Sequence, residues 1–298
     1  MIDKFEYLLA LAAEHHFGRA AETCGVTQQT LSAGIKHLEE RLGVLLVQRG
    51  SRFQGFTPEG ERVLAYARRI VADNRALLQE IGSLKRGLTG HLRLAAIPTA
   101  LPMVARLTTP YRRRHPGVRF SIRSQTSVEI LEALKNLEID AGLTYVDNEP
   151  VGRVTTIPLY AESYRLLTAP NGVLGDRASV TWAELADVPL CLLTPDMQNR
   201  RIIDQHLRAA GAEPAPTLES NSMIVLMTHV RTGEWASVMP AVLAETLGLD
   251  AIVRAIPIVE PDVSYKIGLV VPEREPPLLM VSALVAQARA LAAEFKAS

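Results

Sequence analysis

The chain has 298 residues, 48% of them hydrophobic and 21% charged, with a formal net charge of zero. That length predicts about two domains of ordinary soluble composition, and net neutrality means that any nucleic-acid surface must come from cations clustered locally. Two distant cysteines, Cys24 and Cys191, make neither a disulfide framework nor a metal cluster and point to a reducing, cytoplasmic compartment. No apolar run reaches membrane-spanning length, so no membrane partner is expected.

Ile2 to His15 reads as an amphipathic helix with Phe5, Leu8, Leu9 and Ala12 on one face. Tyr7 to Ala13 is apolar, but Asp3, Lys4 and Glu6 precede it in place of the cationic start of a signal peptide. His15 and His16 have no carboxylate or thiol at ligand spacing and read as a solvated helix end. Next come two short helices around a tight turn, Arg19–Cys24 and Thr27–Arg41, with Gly25 and Val26 between them. Leu31, Ile35, Leu38 and Leu42 form one stripe for burial. The opposite face carries Thr27, Gln28, Gln29, Thr30, Ser32, Ala33 and Lys36. Amides suited to adenine edges, hydroxyls and a cation suited to phosphates, and small residues allowing close approach fit a helix lying in a major groove. The alternative is a helical hairpin with a solvated polar face. Arg49 to Gly55 reads as a wing whose Arg49 and Arg52 reach phosphates or a narrow minor groove.

Thr57 caps the next helix, with Pro58 at its first position and Glu59 against its positive end. The helix runs to about Lys85. Val63, Ala67, Ile70, Asn74, Leu77, Ile81 and Leu84 follow spacings of four and three, a heptad seam for a second copy of the chain. Gly87 to Gly90 reads as a hinge.

From His91 strands and helices alternate, predicting a doubly wound α/β unit with a parallel sheet. The expected strands are His91–Ile97, Val118–Ser124 and Ile139–Tyr145, with helices Ala100–Arg114 and Val128–Leu137. A second unit begins at Ser163, and Tyr265–Val271 with the following helix returns to the first. Ligands of open α/β sheets sit beyond the carboxyl ends of the strands. The junction residues there are Thr99, Ala100, Ser127, Thr194, Gln198, Asn199 and Ser222, and convergent helix starts offer N–H groups and positive dipole ends to a small organic anion. Thr126 with Glu129 reads as a capping box. Cys191, in an apolar run, reads as a buried structural thiol. No GxSxG, P-loop, GxGxxG or HExxH appears, so no catalytic residue, metal site or enzyme activity is expected.

The run Ala20-Ala21, Val26-Thr27-Gln28, Leu31-Ser32, Ile35, Leu38-Glu39, Leu42-Gly43, Leu45, Arg49 and Thr57-Pro58-Glu59-Gly60 resembles the amino-terminal module of LysR-type transcriptional regulators. The resemblance extends over essentially the whole chain. Cys24 stands where the family usually has leucine, Thr27 where serine is common, Leu46 where phenylalanine is usual, and Phe56 where leucine is usual. The resemblance implies a winged helix-turn-helix head (1–57), a linker dimerisation helix (58–86), a hinge (87–90), and a periplasmic-binding-protein-like effector domain. The two effector subdomains are expected at 91–162 plus 265–298 and at 163–264, joined by crossing strands. It further implies a ligand-responsive, sequence-specific regulator whose homodimers assemble to homotetramers on an interrupted inverted repeat of double-stranded DNA. A small-molecule co-inducer and RNA polymerase are the further partners it suggests. A redox-sensing or ligand-independent regulator of the same fold is the alternative. So is a small-molecule receptor without DNA binding, which leaves residues 1–90 unexplained.

Overall fold

The computed structural model describes residues 1–48, 50, 53–147, 154–243 and 252–297, with the backbone alone at 84–86, 296 and 297. Arg49, Arg52 and the side chain of Leu84 therefore lie outside the described residues. The chain forms two compact units, Met1–Leu88 and Thr89–Ser298.

The first unit packs α1 (Ile2–Glu14), α2 (Phe17–Thr23), α3 (Gln28–Leu42) and the start of α4 (Pro58–Arg86) around one core. His16 is not a bare helix end: its Nδ1 accepts the N–H groups of Gly18 and Arg19 and caps α2. Gly25 has φ +66° with open space around it, so the turn needs glycine for its backbone alone. Leu31, Ile35 and Leu38 are buried as the stripe predicts, whereas Leu42 is 43% exposed. The helix ends there, with Gly43 in the left-handed conformation, and the chain turns away before Leu42 reaches the core. Val47 and Phe56 bridge antiparallel and the Gln48 N–H bonds the Gly55 carbonyl, closing the wing's base. Glu39 Oε1 accepts the Leu46 and Val47 N–H groups and ties this wing to α3.

The α4 seam divides between two environments. Val63 and Ala67 pack into the head's own core, Ala67 with no exposure, together with Leu64 and Val71. Ala67 is thus unavailable to a second copy, which corrects its assignment as a dimer contact. Ile70, Leu77, Leu78 and Ile81 stay exposed, Leu77 at 55%. The expected head boundary at residue 57 also lies short of the core, which continues into α4.

In the second unit β1 (Thr89–Ala96) begins two residues before the predicted strand, so Thr89 and Gly90 belong to it and not to a hinge. Then come α5 (Leu101–Arg114), β2 (Gly117–Ser124), α6 (Ser127–Lys135), β3 (Ala141–Tyr145) and β4 (Val154–Thr168). They are followed by β5 (Val180–Thr181), β6 (Cys191–Leu193), α7 (Gln198–Ala209), β7 (Leu218–Ser220), α8 (Met223–Val230), β8 (Ser237–Pro240), β9 (Arg254–Val259), β10 (Ser264–Pro272) and α9 (Leu279–Ala297). The main sheet runs β2-β1-β3-β10-β4-β9-β5, with β8 also on β4. It is mixed, not parallel as expected: β2, β1 and β3 are parallel, while β10 pairs antiparallel with both β3 and β4. The 15 residues of β4 cross from one half of the unit to the other, pairing with β10 from Val154 to Ser163 and with β8 and β9 from Tyr164 to Thr168. The boundary expected at 162/163 falls inside this strand. A register shift at Ile267/Gly268 bends the crossing. A Cβ on Gly268 would meet the Ile157 carbonyl oxygen at 2.7 Å.

Candidate nucleic-acid interface and effector cleft

On α3, Gln28, Gln29, Ser32, Ala33 and Lys36 are all exposed. At about 100° per residue they share an arc of roughly 140°, whose centre lies about 120° around the helix from Leu31, Ile35 and Leu38. Thr27 is the N-cap, its Oγ1 accepting the Thr30 N–H at 3.2 Å. The two threonine hydroxyls bond each other at 2.9 Å, so Thr30 stands off the arc and buttresses the helix start. Lys36 Nζ lies 3.8 Å from Glu40 Oε1 with both side chains largely in solvent; such a pair is worth little and yields readily to a phosphate. Gly34 lets α3 approach α1 closely, since a Cβ there would come within 2.6 Å of the Tyr7 ring. Behind the wing Phe53 stacks edgewise on Phe56 and Phe17.

In the second unit three helix starts meet across the cleft between the halves. The Pro98–Ala100 turn that leads into α5, the start of α6 and the start of α7 bring Thr99, Ser127, Gln198 and Asn199 around one cavity of about 10 Å³. That is room for no more than about one water, so a larger ligand requires the halves to separate. Thr99, Ser127 and Asn199 are almost fully buried; no hydrogen bond of normal geometry reaches their polar side-chain atoms, although Thr99 lies beside Glu162 and Asn199 beside Tyr145 and Tyr164. Buried polar groups without well-formed partners are costly. Thr126 spends its hydroxyl on the Glu129 N–H, while Glu129 returns a bond to the Thr126 N–H, as the capping pattern predicts. Gln198 turns its carbonyl to Arg201, with Oε1 2.8 Å from Arg201 Nε.

Three candidates stand elsewhere. Ala100, the last residue of the turn, is buried off the cavity wall, as is the unpartnered hydroxyl of Thr194, and Ser222 precedes α8 away from it. Arg200, the buried cation of α7, is bound to Asp204 (2.6 Å), Glu219 (2.5 Å) and the Leu193 carbonyl (2.9 Å) and leaves no free charge for a ligand.

The sequence reading missed what lies behind the cavity. Tyr145, which lines it, donates to Glu162 Oε2 at 3.2 Å, and Tyr160 donates to Oε1 at 3.3 Å. Glu162 has no exposure. Burial pushes its carboxyl up to about 8, against the opposing pull of the two phenols and the nearby Thr99. The signal was available: Tyr160, Glu162 and Tyr164 alternate along one face of a strand. Cys191 is fully buried, its thiol 3.7 Å from the Leu226 carbonyl and pushed up to about 11 by burial. Trp182 is core, stacked on His206 at 5.0 Å. Among the described residues no cluster could hold a metal ion, and no helix is long and apolar enough to cross a membrane.

Residues 2–61 match the family of bacterial regulatory helix-turn-helix proteins, lysR family, and residues 85–293 match the LysR substrate binding domain. A probable hydrogen peroxide-inducible genes activator of Streptomyces viridosporus is 33% identical over 246 residues, 80% of this chain and 77% of that one. A full-length OxyR point variant from Pseudomonas aeruginosa superposes with TM-score 0.73 at 26% identity, covering 97% of each chain. Full-length CbnR complexed with its target DNA shares the fold, with TM-score 0.66 at 20% identity over 98% of this chain and 99% of that one. Helix-turn-helix head, two-part effector domain and family matches converge: the chain belongs to the LysR family of DNA-binding transcriptional regulators.

Proposed function

We propose that α3 enters the major groove with Gln28 and Gln29 toward base edges and Ser32, Ala33 and Lys36 along the backbone. The observation that carries this reading is the solvent-facing polar arc set apart from the buried stripe of the same helix. Thr27 and Thr30 fix the helix start, and Arg49 and Arg52 on the wing are the proposed phosphate contacts outside the described residues. Two heads on paired α4 helices would read an interrupted inverted repeat. The exposed apolar run Ile70, Leu77, Leu78 and Ile81 supports that pairing. Ile122, Val128 and Ile224 form a second set of exposed apolar side chains, in the effector unit. Two separate self-association surfaces are what a tetramer requires.

In the cleft, Thr99, Ser127 and Asn199, with the Gln198 amide, are the proposed contacts to a small organic anion. The helix starts supply N–H donors and positive dipole ends. The ligand would act through its different affinities for open and closed arrangements of the two halves. The names of peroxide-responsive relatives raise a redox reading, but the buried, weakly acidic Cys191 is the sole cysteine of the effector unit and gives it no support.

A band-shift titration on the DNA upstream of the protein's own gene and its divergent neighbour tests the head. Gln29→Ala should lose roughly tenfold or more on the specific site and little on random duplex; equal losses on both contradict the assignment. For the cleft, a panel of organic acids should raise Tm or alter DNA affinity, and Ser127→Ala with Thr99→Val should abolish that response.

A further inference from the structure

A larger cavity lies in the effector unit at the opposite end of the strands from the cleft. It encloses about 370 Å³ where β4 begins and β10 ends, under the first turns of α9. That volume falls in the range of small-molecule sites, about 300–1,000 Å³. Its floor is apolar, built from Leu137, Ile139, Val271, Val281 and Val285, with Thr155 and Ser282 also in the lining. Arg93 lines it too, but its guanidinium is clamped on Asp140 (2.7 and 3.2 Å), which also accepts the Arg93 N–H at 2.7 Å. This pair is a neutral wall.

The remaining charges are Glu273, Arg274 and Arg289, so the lining as a whole carries one net positive charge. Arg289 is exposed on α9, and among the described residues no carboxylate pairs with it. An apolar floor selects a hydrocarbon body, and a single net cation at the rim selects one negative charge rather than two. We propose that this cavity is a second ligand site, for a small amphipathic monocarboxylate, separate from the cleft. β3 joins the two places: Asp140 immediately precedes the strand at one cavity and Tyr145 ends it at the other. Occupancy of one is therefore positioned to bias the other through a single element.

Fluorine NMR on the full-length protein tests it, with 4-(trifluoromethyl)benzoate as the probe and the matching benzamide as its uncharged counterpart. Saturable binding of the benzoate is expected, weakened up to about fivefold for the benzamide and for Arg289→Ala, as an exposed charge contact allows. Val285→Trp, which fills the floor, should abolish binding while retaining a cooperative thermal transition. Thr99→Val with Ser127→Ala should leave it unchanged, which keeps this site's outcome distinct from that of the cleft. The absence of saturable binding to the wild type, its survival in Val285→Trp, equal binding of benzoate and benzamide with Arg289→Ala silent, or its loss in the cleft variant would each overturn the proposal. Should Val285→Trp fail to fold, Arg289→Ala and the benzamide carry the decision.

Discussion

Gly34 of α3 sits directly beneath the ring of Tyr7 of α1, so close that a Cβ on Gly34 would lie 2.6 Å from the ring's Cδ2. This contact sets how tightly α3 is held against α1. An unconstrained helical glycine gains stability on replacement by alanine. Gly34→Ala should do the reverse, costing on the order of 1–3 kcal/mol by overpacking. Tyr7→Leu in the same chain should recover part of that loss. Urea denaturation of the four chains in a double-mutant cycle measures the coupling; a stabilised single mutant would show that the ring moves aside freely.

Glu162 should make stability depend on pH. Burial raises its carboxyl to about 8, so the folded chain holds this proton more tightly than the unfolded chain. The resulting stability is fully present below the ordinary carboxylate range and is lost progressively as pH rises from there through about 8, a change of a few kcal/mol at most. Glu162→Gln keeps the shape without the charge. Its Tm should fall less than that of the wild type between pH 5 and 8.5, and parallel curves would remove Glu162 as the source.

The divided seam of α4 predicts two different mutant behaviours. Leu77→Asp together with Ile81→Asp, at exposed positions, should leave the head folded but dissociate the assembly, seen as a smaller mass in sedimentation and weaker binding to paired half-sites. Ala67→Leu should instead disturb the head itself, because Ala67 has no exposure within its own chain. An unchanged mass for the double aspartate variant would place self-association elsewhere.

Cys191 should be chemically silent. With its thiol raised to about 11 by burial, the thiolate population near neutrality is on the order of one part in ten thousand. Mass spectrometry after peroxide or iodoacetamide treatment of the native protein should find Cys191 unmodified until denaturant is added. Cys191→Ala should leave any DNA response to peroxide unchanged. Rapid modification under native conditions would reopen the redox reading.

Much of the head was legible in sequence because a 3.6-residue stripe, a left-handed glycine and threonine caps are local signals. Thr99, Ser127, Gln198 and Asn199, chosen for the chemistry of helix starts, line one small cavity. What failed was non-local. The pairing of β10 with β3 and β4 joins segments more than a hundred residues apart, and no spacing in the sequence announces an antiparallel strand inserted beside parallel ones. The heptad stripe of α4 was read correctly as apolar, but periodicity does not say which surface covers it, so Ala67 and Leu77 looked alike. Glu162 escaped notice because its role depends on Tyr145, a residue from another strand.

The uninterrupted run of β4 through both halves has a practical corollary. Neither lobe can be excised as an independent fragment, since a cut near Ser163 would leave each piece with a torn edge where it once had neighbours. Any motion that opened the cleft would have to be accommodated by twisting a continuous ribbon, not by swinging on a loose joint, and the travel open to a ligand would be set by how far that ribbon can wind.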